Sequence, residues 1–478
     1  MFFCAEHQGF ESGALMLFHK HTLQCMLMTA YSAGYRRAGG NQKMTDRNNL
    51  DQKRWLVLIA SCLINLCIGS IYAWSVFASP MAQRLTELSA NGQTYSASTL
   101  AIVFTVANSV GPVTMISGGY FNDKLGPKWV IFVGGLLFGG GMLLSGFATG
   151  IPMLIIGYGL GCGLGMGMAY GCTINNSVKF FPDKKGLIGG IATATYGLSS
   201  VLIPPVANKM IAAVGVSSTF RILGIVFIAV ICLFSMFIVK CPEGYAPGAE
   251  TAGKTGGAGS AGPESAGQKA ALSEAAASGQ NKNWKGMLAN PLFYIMIVML
   301  MCGAFSGLMI TSQASPMAQS MAGMSVAAAG VAVSVLALFN AAGRVAAGFL
   351  SDLLGRVNVL LCAFALEIIG LICLLNISEG RSALFLIGVS LMGICFGALM
   401  GVYPGFTADQ FGTKNNSVNY GIMFIGFALA GIGGPTMVGR ILSATGAYTG
   451  AFLAAIALAV VGIILSLLYK RISRRASV

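Results

Sequence analysis

The hexapeptide ASPMAQ occurs twice, at residues 78–83 and again at residues 314–319. Each copy follows a long apolar run. A second pair of matching stretches lies at nearly the same spacing, GYFNDKLGPK at 119–128 and GFLSDLLGRV at 348–357, and both read G-x-x-x-D-x-x-G. Repeated correspondences at one spacing predict two related halves, an organisation typical of secondary transporters.

The composition excludes a soluble multidomain enzyme. Only 9% of the 478 residues are charged, against about 25% in soluble domains, so the chain cannot cover a water-facing surface. Apolar runs of roughly 20 residues, the length of a membrane-spanning helix, recur along the chain. We therefore predict an all-α membrane protein with twelve transmembrane helices in two six-helix, pseudo-symmetric bundles. The runs, numbered 1 to 12, are approximately 55–77, 96–121, 128–149, 151–177, 186–213, 218–239, 291–313, 325–351, 356–377, 382–408, 416–439 and 446–469.

The sequence divides at changes of composition. Before run 7 lies AETAGKTGGAGSAGPESAGQ (249–268), whose Gly, Ala and Ser content is typical of a flexible linker. Met44 begins a short polar lead into run 1 and is a candidate start; the alternative is that residues 1–43 form a disordered tail. The predicted segments are an N-terminal extension (1–54), a first bundle (55–240), a linker (241–290), a second bundle (291–470) and a basic tail (471–478).

The net charge of +14 indicates orientation rather than nucleic-acid binding. If both termini are cytoplasmic, most of the 29 Lys and Arg fall on the cytoplasmic side, as the positive-inside rule requires. We expect a multi-pass protein of the cell (inner) membrane. The twelve cysteines form no CxxC pair and the three histidines lie within residues 1–43, so we predict neither a metal site nor a cofactor.

The chain resembles the major facilitator superfamily over residues 50–472, on the strength of the G-x-x-x-D-x-x-G loops after runs 2 and 8. Within it, the chain resembles the oxalate/formate antiporter family, which is related to monocarboxylate transporters. The stretches that carry this resemblance are NLCIGSIYAWSVFASPM (65–81), CPEGYAPG (241–248), NWKGMLANPLFY (283–294), NAAGRVAAGFLSDLLGR (340–356) and NYGIMFIGFALAGIGGP (419–435).

The resemblance implies a transporter, not an enzyme, whose central cavity opens alternately to each side. Runs 1, 4, 7 and 10 would line the cavity, runs 2, 5, 8 and 11 would lie beside them, and runs 3, 6, 9 and 12 outside. The motif residues would form a conformational switch; they are Gly119, Asp123, Gly126, Gly348, Asp352 and Arg356. Pro127 stands where the superfamily commonly has an arginine, which predicts a weaker first latch.

Arg344 is the leading candidate for binding substrate. It precedes Asp352 by eight residues, which is about 12 Å of helix and places the guanidinium near mid-membrane. A charge there costs roughly 3 kcal/mol, and a guanidinium suits a carboxylate through two parallel hydrogen bonds. The resemblance implies that this arginine meets the substrate carboxylate. The alternative is a structural pair with a buried acid or with helix carbonyls.

Run 11 lacks the lysine that the oxalate carrier of the family has there. One fixed cation balances one carboxylate, so a second negative charge would be costly at low dielectric. We therefore favour a small monocarboxylate such as formate, acetate, lactate or pyruvate, carried by a monomer, by exchange or with protons. An oxalate/formate-type dicarboxylate exchanger, a non-transporting carboxylate sensor, and a sugar or drug carrier are the alternatives.

Other candidates are less specific. Glu367 lies deep in run 9 and either couples transport to protons or hydrogen-bonds a neighbouring helix. Asn340 stands where related monocarboxylate carriers often have an acid. Aromatic residues offer a cavity wall or ordinary packing; these are Tyr72, Trp74, Tyr170, Tyr196, Tyr403, Tyr420 and Phe424. Tyr170 and Tyr403 occupy matching places in the two halves, which favours the cavity for both. Asn65, Asn108 and Gln313 are weaker polar candidates.

Overall fold

The computed structural model describes residues 53–89, 92–96, 99–242, 245 and 281–476. The described residues from Leu56 onward form one compact unit, and of the preceding unit, Met1–Trp55, only residues 53–55 are described. Every regular element in these ranges is a helix, and twelve of them are long and apolar enough to cross a membrane. The prediction of an all-α protein with twelve spanning helices is confirmed. Met44 and most of the predicted linker lie outside the described residues.

The twelve helices are labelled in chain order. Helix α1 contains a short 3₁₀ segment at Gly69–Ala73, and α4 a π-helical segment at Ile155–Cys162. The helices are α1 Lys53–Glu87, α2 Ala101–Leu125, α3 Pro127–Ser145, α4 Ile151–Phe180, α5 Lys185–Val214, α6 Val216–Ser235, α7 Pro291–Ser320, α8 Val326–Leu354, α9 Arg356–Leu375, α10 Ser382–Phe411, α11 Asn416–Thr445 and α12 Thr449–Ala476.

Helices α1–α6 and α7–α12 form two halves that meet along two helix pairs. Within the first half, α3 packs against α4 and α6, and within the second, α9 packs against α10 and α12. Between the halves, α5 packs against α8, and α2 against α11. The sequence repeat relates α2 to α8 and α5 to α11. The α5–α8 contact and the α2–α11 contact are therefore equivalent under the repeat. The two-bundle fold predicted from the repeat is thereby confirmed.

The last glycine of each G-x-x-x-D-x-x-G motif joins two helices with a single residue. Gly126, between α2 and α3, has φ +99°, and Gly355, between α8 and α9, has φ +86°. Glycine adopts this positive φ without the steric cost that a side chain would add. Each motif therefore makes a sharp turn at one end of the bundle, which we call the motif end; the opposite end is the far end.

The ASPMAQ repeats lie inside helices, and the prediction that they follow the helices was wrong. Helix α1 continues to Glu87 and α7 to Ser320, so Pro80 and Pro316 are both helical. A proline removes one hydrogen bond and bends a helix, but near the end of a spanning helix the chain can continue past it. The repeat marks the far-end turns of the first helix in each half.

Two of the predicted segments, the linker and the basic tail, include helical residues. The linker was expected to reach residue 290, but Trp284–Leu288 form a helix whose Asn283 cap accepts a hydrogen bond from Gly286 N. Lys282 N donates to Phe411 O of α10 (2.9 Å), which fixes this segment to the second half. The basic tail was expected to begin at 471, but α12 continues to Ala476, since cationic side chains are favourable in the last turn of a helix.

Glycines set the close packing of α3 against α4. A Cβ on Gly141 would lie 2.4 Å from Gly157 O, whereas a Cβ on the neighbouring Gly140 would meet nothing within 4 Å. Of these two glycines, only Gly141 faces α4 closely enough to exclude a side chain.

We predict that Gly141→Ala destabilises the protein by about 1–3 kcal/mol, because the added methyl group overpacks the α3–α4 contact. Gly140→Ala is the matched control and should be neutral or slightly stabilising, since alanine is the better helix former. The measurement is the midpoint of thermal unfolding in detergent. Equal midpoints for the two variants would contradict this account of the packing.

Candidate functional site

A small cavity lies between the two halves at the level of Arg344. The space open to the centre of a water-sized sphere is about 10 Å³, close to what one water molecule requires. Residues from seven spanning helices and from both halves line it: Tyr72, Asn108, Met166, Tyr170, Tyr196, Arg344, Met400, Phe424 and Phe427. Arg344 is the one charged residue among these lining residues.

The guanidinium of Arg344 is buried, with 2% of the residue exposed. Its Nε donates to Asn340 Oδ1 (2.9 Å) and its Nη1 donates to Thr193 O of α5 (2.8 Å). These bonds use two of the five guanidinium N–H groups. The four ion pairs in the described ranges do not include Arg344. Its positive charge therefore has dipolar partners but no acidic one in this part of the chain.

Small residues on two helices let the backbone around Arg344 be enclosed. A Cβ on Gly190 of α5 would lie 2.4 Å from Arg344 O, and a Cβ on Gly401 of α10 would lie 2.2 Å from the same atom. A Cβ on Gly397 would lie 2.1 Å from Asn340 O. Helix α8 is thus clamped between α5 and α10. Small residues four apart in run 10 were the available signal for this contact, and sequence reasoning missed it.

Five of the seven aromatic candidates come together beside Arg344. The rings of Tyr72 and Tyr196 pack edge to face at 5.4 Å, and Tyr170 lies 4.7 Å from Tyr196. Phe424 continues the cluster, 5.8 Å from both Tyr170 and Tyr420. Tyrosines can donate hydrogen bonds to a carboxylate from an otherwise apolar wall. The cluster and the guanidinium form a site suited to an anion with a small apolar body.

Two aromatic candidates lie elsewhere. Trp74 packs against Tyr158 at 4.6 Å, away from the lining residues. Tyr403 donates its hydroxyl hydrogen to Met296 O of α7 (2.8 Å), so its polar group is used inside the second half. The sequence match between Tyr170 and Tyr403 does not extend to their surroundings.

Among the polar candidates, Asn340 contacts Arg344 and Asn108 lines the cavity. Asn65 donates to Ala192 O instead, at 2.9 Å. The apolar lining residues Met166, Met400 and Phe427 were not predicted, because uncharged side chains carry no signal that separates a cavity wall from a helix contact.

At the motif end, Asp352 caps a helix of the other half. Its Oδ1 and Oδ2 accept hydrogen bonds from Gly186 N (2.9 Å) and Leu187 N (2.8 Å), in the first turn of α5. A carboxylate at a helix N-terminus is stabilised by the unpaired N–H groups and the helix dipole. Arg356 pairs with Asp352 at 2.7 Å. A Cβ on Gly348 would lie 2.3 Å from Gly186 O, so glycine is required for this approach.

The first motif contacts the other half differently. Asp123 pairs with Lys179 of its own half (2.8 Å), whose Nζ also donates to Lys414 O across the interface (3.3 Å). Asp123 Oδ2 is buried and has no hydrogen-bond partner within the described ranges. Close packing is retained, since a Cβ on Gly119 would lie 2.8 Å from Ser417 O. The two motifs therefore join the halves with similar packing but different polar contacts.

Glu367 lies inside the second half and not among the cavity-lining residues. It is 1% exposed, and its carboxyl group hydrogen-bonds the hydroxyl of Ser306 on α7. The contact matches the alternative in which this acid bonds a neighbouring helix.

Two bundles of six spanning helices, with a buried charged site between them and helix-capping contacts at one end, define a membrane transporter rather than an enzyme. The family model of the Major Facilitator Superfamily matches residues 54–350 and 302–478. The chain belongs to the Major Facilitator Superfamily and is an integral multi-pass membrane protein.

The chain is similar to transporters of known name over most of its length. The oxalate:formate antiporter of Oxalobacter formigenes is 26% identical over 382 residues, covering 80% of this chain and 83% of that protein. Human monocarboxylate transporter 12 is 24% identical over 420 residues, covering 84% and 77%. The solved structure of the proton:xylose symporter XylE superposes with a TM-score of 0.68 over 88% of this chain and 96% of XylE; at 16% identity this likeness concerns the fold alone.

We predict that Asp352→Asn loosens the contact between α8 and α5, because a neutral amide has one acceptor oxygen for two N–H groups. Loss of a charged hydrogen bond costs about 1.5–3 kcal/mol, so peptides covering Gly186 and Leu187 should exchange amide hydrogen roughly tenfold or more faster. Hydrogen-exchange mass spectrometry measures this. Asp183→Asn, at an exposed acid three residues before Gly186, is the control. Equal exchange in both variants would show that the cap contributes little.

Proposed function

We propose that this protein carries a small monocarboxylate across the cell membrane by alternating access, with Arg344 binding the carboxylate. The observation that carries the proposal is the position of Arg344, a buried cation in a cavity between the two halves, with no acidic partner in the described ranges. A substrate carboxylate supplies the missing charge and can occupy the guanidinium N–H groups that Asn340 and Thr193 do not use.

The electrostatics favour one negative charge. An uncompensated charge at this depth is costly, and neutralisation by one carboxylate removes most of that cost. A second carboxylate would meet Tyr72, Tyr170 and Tyr196, which can donate hydrogen bonds but carry no positive charge. The aromatic wall also suits an acid with a short apolar body, and the cavity must widen from the space of about one water molecule to admit it.

Exchange of oxalate for formate is the second candidate, supported by the relative named for that activity. Against it stands helix α11, which places Phe424 and Phe427 on the cavity wall and has no basic residue until Arg440, an exposed residue near its far end. A panel of monoacids with oxalate separates the two candidates.

Alternating access would use the contacts at the motif end as the closed gate. Asp352 and the glycines Gly186 and Gly348 join α8 to α5 there, and opening would break these contacts while new ones form at the far end. The excess of Lys and Arg in loops at the motif end supports a cytoplasmic location for that end and for both termini. A single chain contains both halves, so we propose that the monomer is the working unit.

We predict that Arg344→Ala and Arg344→Lys both abolish uptake of the preferred acid into proteoliposomes. Alanine removes the charge, and lysine keeps it but loses the planar pair of donors. The panel is formate, acetate, lactate, pyruvate and oxalate, with protein-free liposomes to subtract passive diffusion. Arg440→Ala removes an exposed arginine of α11 and is the control. Uptake that persists without Arg344, or oxalate as the best substrate, would contradict the proposal.

We also predict that Tyr170→Phe raises KM about fivefold, the effect of losing one hydrogen bond of about 1 kcal/mol to the substrate. Tyr403→Phe is the matched control, since it removes a hydroxyl at the equivalent position of the other half, where the partner is Met296 O. Initial rates at varied acid concentration measure both. An equal rise in KM for the two variants would show that the effect is not specific to the cavity.

A further inference from the structure

Glu367 of α9 is a buried acid that the proposed carboxylate site does not use. Glu367 is buried within the second half, with 1% of the residue exposed. Ser306 of α7 is its hydrogen-bond partner, and its second oxygen, Oε2, has no partner in the described ranges. No ion pair there includes it. An ionised carboxylate with this environment would be strongly disfavoured, because burial removes its hydration and nothing replaces it.

The hydrogen bonds around Ser306 indicate where the proton lies. Its Oγ is within bonding distance of Gly303 O (3.2 Å) and also contacts Glu367 Oε1. A serine hydroxyl has one hydrogen, so it cannot donate to both oxygens. Both bonds form if Glu367 is protonated and donates to Ser306 Oγ, while the hydroxyl donates to Gly303 O. The neutral acid therefore allows both bonds to form fully, whereas the ionised acid would take the hydroxyl hydrogen of Ser306 and leave Gly303 O without it.

The surroundings of Glu367 hold two other titratable groups in the described ranges. These are the thiols of Cys302 on α7 and Cys395 on α10. From α8 and α12, which also pack against α9, no described charged or titratable side chain interacts with the carboxyl group. Neither thiol can supply positive charge, so Glu367 has no cation with which to form a pair.

A short path of packed side chains connects this carboxyl group to the cavity. Gly307, next to Ser306, lies against Phe396 of α10, since a Cβ there would be 2.5 Å from the ring. Phe396 stacks on Phe427 of α11, with ring centroids 6.2 Å apart and planes 6° from parallel. Phe427 lines the cavity beside Arg344. A shift of α7 at Ser306 would therefore displace the cavity wall.

We propose that Glu367 is the site at which this transporter binds a proton, and that its bond to Ser306 couples proton binding to carboxylate transport. This inference rests on the proposed function. The loaded carrier holds one carboxylate at Arg344 and one proton at Glu367, and the empty carrier holds neither, with Arg344 positive and Glu367 negative. Both forms have the same net charge. The proton binds as the Glu367–Ser306 contact forms and leaves when α7 moves away and water reaches the carboxylate.

The test compares exchange with proton-driven uptake in proteoliposomes loaded with the pH dye pyranine, using lactate. Glu367→Gln mimics the neutral acid and cannot release a proton. In the wild type, an inward proton gradient should stimulate lactate uptake, and lactate entry should bring protons in. In Glu367→Gln the gradient should have no effect and proton entry should cease, while exchange of labelled for unlabelled lactate continues.

Two further variants keep the test informative. Glu367→Asp retains a titratable acid and should retain gradient stimulation with a shifted pH dependence. Ser312→Ala removes another hydroxyl of α7, which donates to Met309 O, and should behave as the wild type.

Three results would overturn the inference: proton-stimulated uptake that persists in Glu367→Gln, a wild type that exchanges lactate but whose lactate uptake no proton gradient stimulates, or loss of exchange in both Glu367→Gln and Glu367→Asp. Failure of the proposed function is distinguishable, because the wild type would then exchange no monocarboxylate at all.

Discussion

The buried charge of Arg344 is the constraint on which the rest of this structure depends. Arginine does not lose its proton in proteins, so the membrane interior must accommodate a permanent cation. The protein supplies Asn340 and one backbone carbonyl, and it places the guanidinium at the interface between the halves rather than within either. The compensation is therefore incomplete in the described structure, and our proposal of an anion-binding site rests on this.

The glycines around Arg344 and at the motif end serve this arrangement. Gly190 and Gly401 allow α5 and α10 to enclose the backbone of α8, and Gly186 with Gly348 brings Asp352 to the first turn of α5. Helix α8 thus connects the cavity to the closed end of the bundle through one rigid element. Because a helix moves as a unit, a movement of α8 caused by a change in charge at Arg344 also displaces Asp352, about 12 Å away along the helix axis. Helix α8 alone can therefore connect carboxylate binding at Arg344 to the proposed opening of the motif end.

Sequence reasoning predicted the fold and the buried position of Arg344 because both depend on strong physical signals. Membrane spans follow from hydrophobic length, the two halves from the repeat, and the depth of Arg344 from its spacing to Asp352. Trp74 and Tyr403 were placed less well, since an aromatic residue on a spanning helix looks the same whether it faces a cavity or another helix. The end of α1 was missed because the Ser, Pro and Gln of ASPMAQ are typical of a turn in soluble proteins. In this membrane protein, the same residues form the last turns of α1 and α7 and remain helical.

The most direct measurement is an experimentally determined structure of the protein with its preferred monocarboxylate bound. We expect density for the acid between Arg344 and the tyrosine cluster, with the carboxylate oxygens about 3 Å from guanidinium nitrogens. Density for the acid away from Arg344, or an acidic side chain of the chain itself paired with the guanidinium in the loaded state, would contradict the proposed role of Arg344.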